Sequence, residues 1–130
     1  MTKKILVVED DPAALRLTSY VLEAEGYEVV TAVNGVEALR KADQEAPDLV
    51  VLDIMLPGID GFEVCHRLRS DPDAPQARMP ILMLTAKSQE ADREMGQKVG
   101  GDLYVAKPAT PEELTQAVKA LLAQPEEQRV

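Results

Sequence analysis

A single cysteine, Cys65, stands in the 130 residues, so no disulfide closes within this chain. The only histidine, His66, is its immediate neighbour, and adjacent side chains diverge on a helix. Neither a Cys-His dyad nor a zinc site is therefore available, and a buried thiol beside a surface imidazole is expected. Positive charge is also scarce. Fourteen Lys and Arg against 23 Asp and Glu leave a net charge of -9, which repels nucleic-acid phosphates and argues against direct DNA or RNA binding. No apolar run approaches the ~20 residues of a membrane-spanning helix, and the amino terminus shows no signal-peptide pattern, so the cytoplasm is the expected compartment. A flavin or dinucleotide binder needs a glycine- or hydroxyl-rich phosphate loop after its first strand. Here "EDDPAA" follows, and it would repel phosphate.

What is present is apolar content of 45%, enough at this length for one well-cored domain. Five short aliphatic runs alternate with segments of helical period: residues 5–8, 28–32, 49–52, 81–84 and 103–106. The runs at 5, 49 and 81 show little in/out alternation, as central parallel strands covered on both faces require. Asp11 and Pro12 read as N-cap and N1 of a first helix that Gly26 ends. Asn34, Asp60 and Thr110 are N-caps for three others, and Thr110 with Glu113 has capping-box spacing. The segment from Gln89 to Val99 offers only Ala91, Met95 and Val99 to a core, so that helix is expected to be loosely held. The tail 124–130 is short and polar.

This alternation predicts an α/β fold, (βα)5, with an open parallel sheet, helices on both faces, and a site at the carboxyl ends of the strands. Polar residues fall there: Glu9 and Asp10 after the first strand, Asp53 after the third, Thr85 after the fourth, Lys107 after the fifth. Carboxylates gathered beside a dry core repel one another unless a cation joins them. All-oxygen donors in small number, with room for water, suit Mg2+. A metal on Asp10 and Asp53, with Lys107 opposite, lets phosphoryl oxygens approach Asp53 without repulsion, so that Asp53 can act as a phosphate acceptor.

These residues carry a resemblance. From residue 3 to about 123 the chain resembles a response-regulator receiver domain of two-component signalling, of the chemotaxis-regulator type. The motifs are Glu9-Asp10, Asp53 in "VVLDIMLPGIDG", Thr85 in "LTA", and Tyr104 and Lys107 in "YVAKP". The resemblance implies a flavodoxin-like, doubly wound five-stranded sheet of order 2-1-3-4-5, with residues 1–123 as receiver and 124–130 as tail. It further implies that Asp53 takes a phosphoryl group from a phosphohistidine of a histidine kinase or phosphotransfer protein. Asp10, Asp53 and the Met55 carbonyl would bind Mg2+, Glu9 would reach it through water, and Lys107 and Thr85 would hold phosphoryl oxygens. Tyr104 would then turn into the space Thr85 leaves. In this reading the chain is a signalling switch rather than an enzyme, at most catalysing its own phosphorylation and dephosphorylation.

Two other readings stay open: the chain is the receiver of a truncated DNA-binding regulator, or a receiver-fold module that exchanges no phosphate. A phosphatase of the haloacid-dehalogenase type is disfavoured, because it needs a second aspartate where Met55 stands. Leu103 and Ala117 replace an aspartate and an arginine that pair across the dimer of the winged-helix subclass, and only Arg93 with Glu113 matches one of its ion pairs. The expected state is therefore a monomer or weak dimer that signals to a downstream effector protein through an exposed patch around Met95, Leu103 and Tyr104.

Overall fold

The computed structural model describes residues 2–85 and 90–123. Along the chain run β1 (Lys4–Val8), α1 (Pro12–Ala24), β2 (Glu28–Ala32), α2 (Gly35–Glu45), β3 (Leu49–Asp53) and α3 (Gly61–Arg69). A 3-10 turn (Pro75–Arg78) then leads to β4 (Ile81–Thr85), α4 (Glu90–Val99), β5 (Leu103–Ala106) and α5 (Pro111–Ala123). The five strands form one parallel sheet in the order β2-β1-β3-β4-β5. The unalternating runs are the three inner strands, as expected, because each is covered on both faces.

Odd and even positions divide the core. Leu6, Val8, Val50, Leu52, Ile81 and Met83 face α2 and α3, meeting Ala38, Ala42, Val64, Cys65 and Leu68. Ile5, Val7, Leu49, Val51, Leu82 and Leu84 face α1 and α5, meeting Leu22, Leu114, Val118 and Leu121. Burying a side chain of this size is worth about 1.5–3 kcal/mol, so both faces hold the sheet in register. A slip of one residue would exchange the two cores and carry the strand-end polar groups to the wrong face.

Helix starts follow the local chemistry. Asp11, Asn34 and Asp60 accept the backbone N–H of Ala14, Glu37 and Glu63, and Thr110 and Glu113 close a reciprocal capping box. Gly26, at φ +93, ends α1 in a conformation that disfavours any other residue. Helix α4 has thin apolar anchorage, with Val99 half-buried and Met95 45% exposed. Gln89, the side chain of Ala91 and the tail 124–130 lie outside the described residues. No described helix is long and apolar enough to cross a membrane.

Candidate functional site

Each inner strand runs out at the same rim and leaves a polar residue there. Glu9 follows β1, and its carboxylate is 4% exposed although charged. Such burial needs partners, and it has two: Oε1 accepts the Lys107 ammonium at 3.1 Å, and Oε2 accepts the Asp11 backbone N–H at 3.1 Å. Asp53 closes β3 and is 2% exposed. Its Oδ2 accepts Lys107 Nζ at 3.2 Å, and its Oδ1 accepts the Met55 N–H at 3.2 Å. Asp10 is exposed, yet it completes a triad with Glu9 and Asp53 whose ligand oxygens all lie within 4.8 Å of one another.

Lys107 is brought in by the carboxyl end of β5, where its N–H bonds the Thr85 carbonyl at 2.6 Å and its bond to Pro108 is cis. Burial alone would lower the ammonium's pKa. The hydrogen bond to Glu9 and the charges of Asp53 and Glu9 outweigh it, so the pKa lies above the ordinary lysine value. Thr85 is buried at the end of β4, beside Ala106 of β5. Met55 holds its side chain 67% out to solvent, leaving only its backbone at the rim.

Tyr104 is half-buried in β5, and its hydroxyl donates to the Gly101 carbonyl at 3.0 Å. Burial foremost, then the charges of Cys65 and Asp102, push the phenol up to about 12 despite Arg69 nearby. Leu103 is not the exposed residue expected from the sequence. It is half-buried, because β5 turns that side of the strand toward the α1/α5 core. Met95 alone of the expected patch is exposed. Cys65 is buried and His66 exposed, as expected. Desolvation raises the thiol to about 11, while its Sγ–H donates to the Val99 carbonyl.

Two supporting groups were missed in the sequence. Gly61 begins α3 so close to β3 that a Cβ there would meet the Asp53 carbonyl oxygen at 2.5 Å and the Ile54 Cα at 2.6 Å. The turn after Asp53 can fold back only because Gly61 has no side chain, and the "GIDG" spacing was its available signal. Arg69 and Asp102 join at 2.8 Å under the opposite end of the sheet. No local pattern marks that pair.

The chain matches the response regulator receiver domain over residues 5–119. The chain belongs to that family. The receiver is 50% identical over 126 residues to the Bacillus subtilis alkaline phosphatase synthesis transcriptional regulatory protein PhoP. That match takes in 97% of this chain and 51% of PhoP, so the receiver spans about half the length of this relative. A response regulator structure from Chloroflexus aurantiacus superposes with a TM-score of 0.90 at 39% identity, over 95% of this chain and 100% of that one. The receiver domain of the sensor histidine kinase PA1611 from Pseudomonas aeruginosa superposes at 0.87 with 30% identity, over 95% and 100% of the two chains. That neighbour holds a magnesium ion in its active-site cleft. The receiver described here is thus a two-component regulatory module with an acidic cluster compatible with Mg2+.

Proposed function

We propose that this receiver is a phosphorylatable switch in which Asp53 is the acceptor. What carries the reading is the convergence of Glu9, Asp10 and Asp53 within 4.8 Å, with the Lys107 ammonium 3.2 Å from the acceptor carboxylate. The donor set fits Mg2+: hard oxygens, few of them, one side open to water. Asp10, Asp53 and the Met55 carbonyl would hold the ion, and Glu9 would support it through water. When bound, Mg2+ offsets the carboxylate charge and polarises the phosphoryl oxygens.

An Asp53 oxygen attacks the phosphorus of a phosphohistidine on a histidine kinase or phosphotransfer protein. The P–O bond forms as the P–N bond breaks, and the electron pair leaves with the imidazole. Lys107 pairs with one phosphoryl oxygen and Thr85 hydrogen-bonds another. Those contacts exist only in the phosphorylated arrangement, so they shift the population toward it, with Tyr104 following Thr85. The regulator works in the cytoplasm, with residues 1–123 as receiver and 124–130 as tail. Its output goes to a downstream effector through the α4–β5 side, and the domain contacts no nucleic acid or membrane itself. The transcriptional relative favours a second reading for output, in which a DNA-binding domain follows the receiver.

The test is intact-mass spectrometry after incubation with acetyl phosphate and Mg2+. A single phosphoryl adduct that EDTA prevents and Asp53→Asn removes is expected. Labelling that survives in Asp53→Asn would place the acceptor elsewhere, and no labelling at all would favour a phosphate-independent interaction module.

A further inference from the structure

The Tyr104 ring rests where two glycines leave room for it. A Cβ on Gly96 of α4 would meet Tyr104 Cε1 at 2.3 Å and Cζ at 2.8 Å, and a Cβ on Gly101 would meet the hydroxyl oxygen at 2.7 Å. Gly96 carries no positive φ, so the helix itself does not call for glycine there. Alanine would be the better helix former. The hydroxyl bonds Gly101, three residues back along the chain, whereas Thr85 pairs with Ala106, two residues ahead. The ring therefore lies in a seat directed away from Thr85.

That seat is held from below. Arg69 donates from Nε and Nη2 to the Gly100 carbonyl at 3.1 and 2.9 Å, and from Nη2 to Asp102 Oδ2 at 2.8 Å. Its Nη1 donates to the Ala77 and Met79 carbonyls. The loop carrying Gly101 is thereby tied to α3 and to the entry of β4, while Gly101 N–H bonds the Gly96 carbonyl at 2.9 Å.

We propose that Gly96 is the positioning residue of the tyrosine switch: its missing side chain creates a resting seat for the Tyr104 ring on α4, and occupancy of that seat opposes movement toward Thr85. The idea rests on the phosphoacceptor reading for its consequence, though not for its geometry. Filling the seat raises the free energy of the resting state alone, so the population moves toward the activated arrangement.

A double-mutant cycle of Gly96→Ala and Tyr104→Ala on the full chain tests the seat. In the Tyr104→Ala background, Gly96→Ala is expected to raise the melting temperature, as alanine does in an ordinary helix. With Tyr104 present, that gain is expected to vanish or reverse. NMR of ring-labelled tyrosine, which distinguishes Tyr104 from Tyr20 and Tyr27, is expected to show the Tyr104 resonance moved. Equal stabilisation in both backgrounds with an unmoved ring would overturn the seat. Acetyl phosphate labelling of Asp53 is expected to run several-fold faster in Gly96→Ala. If the ring moves while labelling is unchanged, the seat exists but does not regulate, and the proposal fails. If wild type takes no label, the phosphoacceptor reading fails, and the cycle and the NMR still decide the seat.

Discussion

The guanidinium of Arg69 and the carboxylate of Asp102 meet at 2.8 Å with side chains only 15% and 12% exposed, although 33 residues separate them. Asp102 Oδ2 also accepts the Ile81 N–H at 2.8 Å, so one oxygen joins α3, β4 and the loop before β5.

Breaking this pair from either side leaves a largely buried charge. Arg69→Met is expected to cost about 3 kcal/mol or more, because three carbonyls lose their donors along with the carboxylate. Urea unfolding checks it: the midpoint is expected to fall with an unchanged slope. A loss of only a few tenths of a kcal/mol would show the pair to be ornamental.

The acidic triad should be felt in the metal-free protein. Asp10 is its most exposed member, and its charge adds repulsion without a direct lysine contact among the described bonds. Asp10→Asn is expected to raise stability in EDTA and to weaken the response to Mg2+. Wild type is expected to gain about 2.7 kcal/mol when Mg2+ reaches one hundred times its dissociation constant. A wild-type melt indifferent to millimolar Mg2+, together with a less stable Asp10→Asn, would contradict the acidic-pocket reading.

Lys107 links the two buried carboxylates. Lys107→Met is expected to destabilise the metal-free fold by about 1–3 kcal/mol, since Glu9 and Asp53 each lose a charged donor. The folded-state pKa lies above 10.5, so the folded chain holds this proton more tightly than the unfolded one. The contribution is fully present below 10.5 and fades as pH rises through the folded value. Denaturant titrations at neutral and strongly alkaline pH should therefore show the gap between wild type and Lys107→Met closing at the alkaline end. A gap of constant size would mean that the ammonium is not what stabilises the rim.

Self-association is expected to be weak. Glu113 is committed to the capping box with Thr110, Leu103 packs inward, and Ala117 is 8% exposed, so none of the three presents a ready ionic contact. Sedimentation of the beryllofluoride-treated chain is expected to show mainly monomer at micromolar concentration. A tight symmetric dimer through α4 and α5 would reverse this and favour the transcriptional output.

The sequence was most readable where one physical demand dominates. Doubly covered strands leave unbroken aliphatic runs, and caps leave Asp, Asn or Thr at fixed offsets, so β1, β3, β4 and four helix starts agree with expectation. That Glu9, Asp10, Asp53, Thr85 and Lys107 fall at one rim was legible because each ends a strand or follows it within two residues, where the topology forces the edge. Leu103 was misjudged as surface, since a four-residue strand with both faces half-buried has no pattern to distinguish its sides. Arg69–Asp102 and the Gly96–Tyr104 contact escaped for another reason. They join elements distant in the chain through side-chain length and through a missing side chain, neither of which has a period.

The parallel register has a consequence for how such a chain can vary in length. Lys4 to Val8 are paired residue by residue with β2, and Val50 to Asp53 with Ile81 to Leu84, so one residue added within β3 would turn the residues beyond it, Asp53 included, to the opposite face. One residue added in the segment from Ser70 to Pro80, outside any strand, leaves every offset from strand to rim residue intact. Insertions and deletions among descendants of this chain should therefore accumulate at the end of the sheet opposite the acidic rim, and the spacing from each strand to its polar residue should be the most slowly changing length in the gene.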